Sequence, residues 1–325
     1  MSDWEGVRLH VVTGKGGTGK TTVAASLALA LAAGGQDVLL VEVEERQGIA
    51  QLFDLAPLPY DERKIAVARG GGDVFGLAID AQHAMYEYLD MYYHLGRAGK
   101  VLDRMGVIDF ATTIAPGLRD VLLTGKTYEA TKRTRDSRHV YDAVVMDAPP
   151  TGRITRFLNV TAAVTSLARV GPVNRHARAT MDLIGSPRTA VHIVTLLEDM
   201  PVQETIDAID DLHTAGIPVG GVIVNQVRRA HLSASRLKAA QRGRLDRDKL
   251  AGGLKAAGLE ASAAVLDRFV DEAAAHADRV MLEHEQRRTI VALDRPTYEL
   301  PYITDGIDLA ALYELAETLT GQGAA

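Results

Sequence analysis

The stretch Gly14-Lys15-Gly16-Gly17-Thr18-Gly19-Lys20-Thr21, followed by Thr22, decides how the rest of this chain is read. Its spacing is G-x-x-x-x-G-K-[ST], and each residue type answers a physical demand. Glycines accept positive φ and keep side chains out of the way, so successive backbone N–H groups can encircle a phosphate. A helix starting near Gly19 turns unpaired N–H groups and the positive end of its dipole toward the same anion. Lys20 is then placed for the β- and γ-phosphates, and the Thr21 hydroxyl for Mg2+. The candidate phosphate-binding set is Gly14, Gly16, Gly17, Thr18, Gly19, Lys20, Thr21 and Thr22, with ATP or ADP and Mg2+ as the implied cofactors.

Working outward, an apolar strand pattern, Arg8–Thr13, enters this loop and an Ala/Leu-rich helical pattern, Lys20–Ala33, leaves it. Gly34 and Gly35 close that helix. Further strand patterns fall at Asp37–Val43, Val74–Ile79, Ala143–Asp147, Ala190–Leu196, Val219–Asn225 and Thr297–Leu300. Several are near-continuous Val/Ile/Leu runs, as strands covered on both faces require. Helical patterns lie between them, among them Val202–Ala215 after Pro201. The fold class is therefore α/β, a doubly wound and mostly parallel sheet of about seven strands with a helical subdomain. The segments 81–132 and 159–185 form that subdomain, and 228–290 is a helical excursion from a single domain spanning 1–325.

The chain has 325 residues, 47% apolar and 24% charged, which fits a globular protein rather than a disordered one. Its net charge of −6 argues against nucleic acid as a partner. The count of cysteines is zero, so disulfides, thiolate zinc sites, iron–sulfur clusters and cysteine nucleophiles have no residues to build on. The N-terminal stretch lacks a basic region followed by an apolar one, so no secretory signal is expected. The longest apolar run, about 11 residues from Val23, is too short to span a bilayer. A cytoplasmic protein, peripheral at a membrane only through partners, is the expectation.

Lys15 sharpens the reading. A lysine directly after the first glycine is the signature-lysine form of the loop, and the sequence here resembles the deviant-Walker ATPases, which include MinD, ParA, nitrogenase iron protein and the ArsA group. The resemblance implies that Lys15 reaches across a two-fold dimer to a partner's nucleotide. Tyr141–Leu158, YDAVVMDAPPTGRITRFL, resembles the switch II of the ArsA group. By that resemblance Asp147 holds the Mg2+ hydration shell and the Gly152 N–H senses a γ-phosphate. Ala115-Pro116-Gly117-Leu118-Arg119-Asp120 looks like the group's P-G-x-x-E stretch, with Asp in place of Glu. Ile223-Val224-Asn225-Gln226 matches its V-N-Q motif, in which Asn225 takes the role of reading the adenine edge. Leu300-Pro301 and the loop to Gly306 stand where the adenine-side loop is expected, with Pro301 as its candidate contact.

The departures matter as much. The group's switch I carries an aspartate that positions the attacking water, and register places Glu44 there, with Glu42 two residues earlier. A glutamate reaches one methylene further, and a displacement of about 1 Å in near-attack geometry can cost on the order of 100-fold. Glu42 reads equally well as a polar strand end. Arg153 replaces a histidine and Pro149 stiffens switch II, so slow turnover is expected, with Lys15, Lys20 and Glu44 as the catalytic candidates.

The missing cysteines separate the branches. Arsenite pumps, cluster-bearing reductases and zinc-clipped targeting factors all use thiolates, so neither arsenite nor zinc is expected here. A membrane-binding end like that of MinD is not expected either, since Leu309–Ala325 carries Glu314 and Glu317 and no Lys or Arg. Two functions remain. One is a homodimeric or heterodimeric switch ATPase that controls a client, a membrane protein among the candidates. The other is a nucleotide-binding scaffold or regulatory subunit with little hydrolysis, paired with a paralogous ATPase. The tyrosine-rich segment Met85–Tyr93, continuing to Met105, reads either as a client surface or as helix packing. The basic run Arg228–Lys249 reads as a solvated helical excursion or as a surface for an anionic partner.

Overall fold

The computed structural model describes residues 3–44, 46–93, 116–159, 172–230 and 232–325. Ten strands are assigned among them: β1 (Leu9–Gly14), β2 (Val38–Glu42), β3 (Arg63–Val67), β4 (Asp73–Ala78), β5 (Thr134–Arg135), β6 (Arg138–His139), β7 (Ala143–Asp147), β8 (Thr189–Thr195), β9 (Val219–Val227) and β10 (Thr297–Pro301). Eight of them make one sheet in the order β10-β9-β8-β1-β7-β2-β4-β3, parallel throughout except where β3 runs antiparallel to β4. β5 and β6 form a separate small hairpin whose turn residues Asp136 and Ser137 both have positive φ.

The helices are α1 (Lys20–Ala32), α2 (Gly48–Leu52), α3 (Ala81–Tyr93), α4 (Pro116–Lys132), α5 (Thr151–Leu158), α6 (Pro172–Ile184), α7 (Asp199–Thr214), α8 (Ala234–Gln241), α9 (Arg247–Ala256), α10 (Ala263–Val291) and α11 (Leu309–Gly321). Each face of the sheet carries its own apolar layer. On one face Val12, Leu40, Val145 and Ile223 pack against Val23 and Leu27 of α1 and Leu312, Leu315 and Leu319 of α11. On the other, Leu9, Val11, Val41, Met146 and Ile193 meet Ile154 and Phe157 of α5 and Val202 and Leu212 of α7. Residues Val23 to Ala30 of α1 are all buried, because this helix is wedged between the sheet and α11. Each Val or Leu so covered contributes roughly 1.5–3 kcal/mol of hydrophobic stabilisation.

The strands expected from the apolar runs are all present within one or two residues, and the mostly parallel sheet is as anticipated. The sheet has one strand more than the seven anticipated. β3 is an edge strand with three of its five residues exposed, so its sequence RKIAV lacks the continuous apolar signature of the buried strands. α7 begins at Asp199, and Pro201 sits inside its first turn rather than ahead of it, where a missing N–H costs nothing.

Two polar groups sit in the α1 layer. His10 on β1 and His192 on β8 are fully buried, with His10 Nδ1 3.0 Å from His192 Nε2 and the Gly221 N–H donating to His192 Nδ1 at 3.3 Å. That last bond makes His192 Nδ1 an acceptor, so Nε2 carries its proton and donates to His10. Burial pushes the His10 imidazole down to about 4 and His192 well below the usual range, so both are neutral.

In the segments expected to form a helical subdomain, α3 packs on α4, and α4 on α5 and α6. Residues 94–115 and 160–171, and hence Met105 and Ala115, lie outside the described residues. Where the tyrosine-rich segment begins, Met85 faces the core beside Ala84 and Tyr86 packs against it. The Tyr60 hydroxyl donates to Glu87, and Lys126 pairs with the same carboxylate at 2.8 Å. Among the described residues, no helix is long and apolar enough to cross a membrane.

Candidate nucleotide site

β1 ends against β8 and β7, and the chain turns there at the C-terminal edge of the sheet, where ligands bind in open α/β folds. Gly14 closes the strand so tightly that a Cβ on it would lie 2.2 Å from the Val194 carbonyl oxygen. Gly16 and Gly17 are exposed, and Gly17 and Gly19 have φ of 89° and 86°. A Cβ on Gly19 would sit 2.4 Å from Asn225 Nδ2. Positive φ and close approach thus both demand glycine at position 19. The Thr18 hydroxyl donates to the Lys15 carbonyl at 2.9 Å, and Lys20 Nζ lies 3.5 Å from that same oxygen. Burial lowers the Lys20 ammonium's pKa, while Asp147 and Glu44 oppose the shift. Thr22, on the first turn of α1, is partly buried.

The candidate metal side is formed by α1, β7 and β2. The Thr21 hydroxyl donates to Asp147 Oδ2 at 2.7 Å. Burial raises Asp147 to about 6, against the Thr21 hydrogen bond and the Lys20 charge and with the help of Glu42 and Glu44. Asp147 Oδ1 is buried with no hydrogen-bond partner. An ion with a hydration shell fits that oxygen, and Thr21 and Asp147 are the residues that would hold it. Glu44, at the end of the β2 segment, is 3.8 Å from Arg46 and 3.9 Å from Arg153.

Switch II leaves β7 through Pro149 and Pro150. The Pro149 carbonyl accepts the Thr13 hydroxyl at 2.6 Å, which ties the switch to the strand that carries the phosphate loop. Thr151 starts α5, and Gly152 beside it is exposed. Burial raises the carboxyl of Asp120 on α4, against the charges of Arg153, Arg156 and Arg119.

On the far side, Asn225 is buried, and its Nδ2 donates to the Thr18 carbonyl at 2.9 Å while its Oδ1 accepts from the Gln226 N–H. Its amide therefore braces the phosphate loop from β9 as well as bordering a cavity of about 540 Å3 lined by Leu197, Gln226, Arg228, Arg279 and Glu283. Pro301 is the last residue of β10, and Tyr302 after it lies under the Arg228 guanidinium, 4.2 Å from the ring centroid.

The fold thus gathers Lys15, Lys20, Thr21, Glu44, Asp147 and Gly152 from β1, β2, β7 and their loops, with Asn225 touching the same loop from β9. Two participants escaped the sequence reading. Glu204 on α7 pairs with Lys15 at 2.8 Å and accepts the Thr151 hydroxyl at 3.1 Å, yet it is one carboxylate on a helix surface with no motif around it. The Arg228–Tyr302 stack joins positions 74 residues apart. Glu42 reads from the sequence equally as a site carboxylate and as a polar strand end, and its burial at 2% exposure is visible only in the structure.

Comparison with known proteins places this geometry. The family model described as anion-transporting ATPase matches residues 7–182, which hold the phosphate loop, β2 and switch II. The ATPase BagA of Mycobacterium tuberculosis is 54% identical over 319 residues, covering 98% of this chain and 94% of its own length. An arsenical pump-driving ATPase of Acidiphilium multivorum is 27% identical over 66% of this chain and 38% of its own length. ATPase GET3 of Kluyveromyces lactis is 26% identical over 66% of this chain and 71% of its own length. With the matched model covering more than half of its residues, the chain belongs to the anion-transporting ATPase family.

Proposed function

We propose that the chain is a Mg2+-dependent, slowly hydrolysing ATPase that works as a dimeric nucleotide switch controlling a client or partner protein. The observation that carries the reading is the run of contacts from loop to switch. Thr21 holds Asp147 at the end of β7, and Lys15 is bound through Glu204 to Thr151 at the start of α5. A γ-phosphate that draws Lys15 or the Gly152 N–H toward itself must disturb these contacts, and α5 packs directly on α4 of the helical subdomain. Ordering of switch segments by γ-phosphate and Mg2+ is a known way to convert a small charge difference into a helix movement. Lys20 and the glycines 14, 16, 17 and 19 hold the phosphates, Glu44 orients the attacking water, and the cavity beside Asn225 takes the base, with Pro301 near its rim.

The relatives named for arsenical pumps do not transfer their cargo to this reading, because metalloid binding by thiolates has no residue here to serve it. A homodimer, or a heterodimer with a paralogous chain, completes the switch through Lys15. The alternative of a regulatory subunit with little hydrolysis draws on Glu44, which is longer than the aspartate its position calls for and faces two arginines. Phosphate release by wild type and Lys20→Ala, with and without Mg2+, tests the enzyme. Equal release by both proteins would end it. Sedimentation with a non-hydrolysable ATP analogue tests the dimer, which Lys15→Ala is expected to prevent.

A further inference from the structure

The carboxylate of Glu42 is the part of this site that phosphate binding leaves unused. β2 sends Val38 and Leu40 to the α1 layer and Leu39 and Val41 to the opposite one, so Glu42 points toward α1. β7 does the same with Ala143 and Val145, which puts Asp147 on that face as well. Glu42 and Asp147 are register partners on adjacent parallel strands. Two carboxyl groups therefore stand side by side at the sheet's C-terminal edge, below Thr21.

Each is half satisfied. Glu42 Oε2 accepts the Ile49 N–H at 3.0 Å, and Asp147 Oδ2 accepts the Thr21 hydroxyl at 2.7 Å. Glu42 Oε1 and Asp147 Oδ1 are both buried without a partner, on residues 2% and 8% exposed. Buried polar oxygens are nearly always paired, and a divalent cation between or beside these two neighbouring carboxyl groups would satisfy both at once.

We propose that Glu42 is a second carboxylate of the divalent-cation site marked by Thr21 and Asp147, and that this site takes up the cation before any nucleotide arrives. The proposal rests on reading Thr21 and Asp147 as the metal side of the phosphate loop. Mg2+ ordinarily relies on one or two carboxylates together with substrate phosphates and keeps several waters. A single aspartate beside a threonine leaves most of the binding to the phosphates. Adding Glu42 supplies the missing negative charge from the protein itself.

Mn2+ serves as the probe, measured by electron paramagnetic resonance and by calorimetry on chelator-stripped, nucleotide-free protein. Glu42→Gln keeps a side-chain oxygen for the Ile49 N–H and removes only the carboxylate charge, so it separates a cation ligand from a cap on α2. Wild type is expected to bind Mn2+, and Glu42→Gln and Asp147→Asn each to bind it about 10–100-fold more weakly, the range typical of groups that support a metal site. Thermal unfolding in chelator is expected to show Glu42→Gln at least as stable as wild type. Three results overturn the proposal: no Mn2+ binding by wild type without nucleotide, equal affinity in Glu42→Gln, or loss in Asp147→Asn alone. Binding of a fluorescent ATP analogue in chelator, compared with Lys20→Ala, reads the phosphate loop separately, so failure of one reading is distinguishable from failure of the other.

Discussion

The Lys15 ammonium lies 2.8 Å from Glu204, so the lysine assigned to a partner's phosphate is neutralised within its own chain. The same carboxylate accepts the Thr151 hydroxyl, and one acidic side chain on α7 thereby clamps the phosphate loop to switch II. Both side chains are about one-third exposed, so the pair contributes on the order of 0–1 kcal/mol to stability. Its importance lies in competition, since Lys15 must leave Glu204 before it can reach anything else. Glu204→Gln is expected to leave the melting temperature nearly unchanged while strengthening analogue-dependent dimerisation. Sedimentation at low and moderate salt checks this, and the difference from wild type should shrink as salt screens the pair.

Asn225 and Gly19 make a second coupled pair. The Asn225 amide bond to Thr18 fixes the loop just before α1, and only a residue without Cβ leaves room for it at position 19. Asn225→Ala removes a buried hydrogen bond of about 1–1.5 kcal/mol, so ATP affinity should fall roughly 10-fold with the fold retained. Gly19→Ala should lose far more, because it adds both the clash and a positive φ. Calorimetric titration with ATP distinguishes the two, and an Asn225→Ala affinity equal to wild type would show that the loop needs no brace.

The buried histidine pair gives the stability of the nucleotide-free protein a pH dependence. His10 and His192 are both depressed in the folded chain relative to about 6.5 when unfolded. Above 6.5 neither state holds the extra protons and the stability is fully present. As pH falls below 6.5 the unfolded chain protonates and the native one does not, so stability is lost progressively toward pH 4, where His10 titrates. Two such groups give a slope of up to about 2.7 kcal/mol per pH unit, offset in part below pH 6 by Asp147, whose raised carboxyl takes up a proton in the folded chain. Urea midpoints between pH 7.5 and 5 should fall accordingly, and a flat profile over that range would contradict a neutral buried pair.

How much of this was legible beforehand follows from the physics of each residue. The G-x-x-x-x-G-K-T loop was visible because its conformation is imposed on a short contiguous stretch, where Gly14 and Gly19 leave no room for another residue. Buried parallel strands such as β1 and β8 were visible because two covered faces demand an apolar residue at every position. β3 was hidden because an edge strand half in water has the composition of a loop. Glu204 and the Asn225 brace were hidden for another reason. They are tertiary contacts whose partners, Lys15 and Thr18, are set by how α7 and β9 pack, and no local pattern encodes that. Asn225 shows the difference within one side chain, since its motif was recognisable while its bond to Thr18 was not.

Glu44 and Arg153 decide how fast the proposed switch turns over. Arg153 Nη1 is 3.9 Å from one Glu44 oxygen and Arg46 Nη2 is 3.8 Å from the other, both at the outer limit of an ion pair. Such pairs, with the arginines mostly exposed, are worth about 0–1 kcal/mol, so they bias the carboxylate without locking it. Glu44→Gln removes the negative charge proposed to polarise water and is expected to lower kcat at least 100-fold with little change in ATP affinity. Arg153→His should act in the opposite direction. It restores the histidine of the switch II pattern and frees Glu44 from an interaction that must be broken for catalysis, so kcat should rise by up to about 5-fold, the equivalent of 1 kcal/mol. Single-turnover phosphate release separates these effects from nucleotide exchange. If Glu44→Gln hydrolyses ATP as fast as wild type, Glu44 does not hold the water in the proposed reaction.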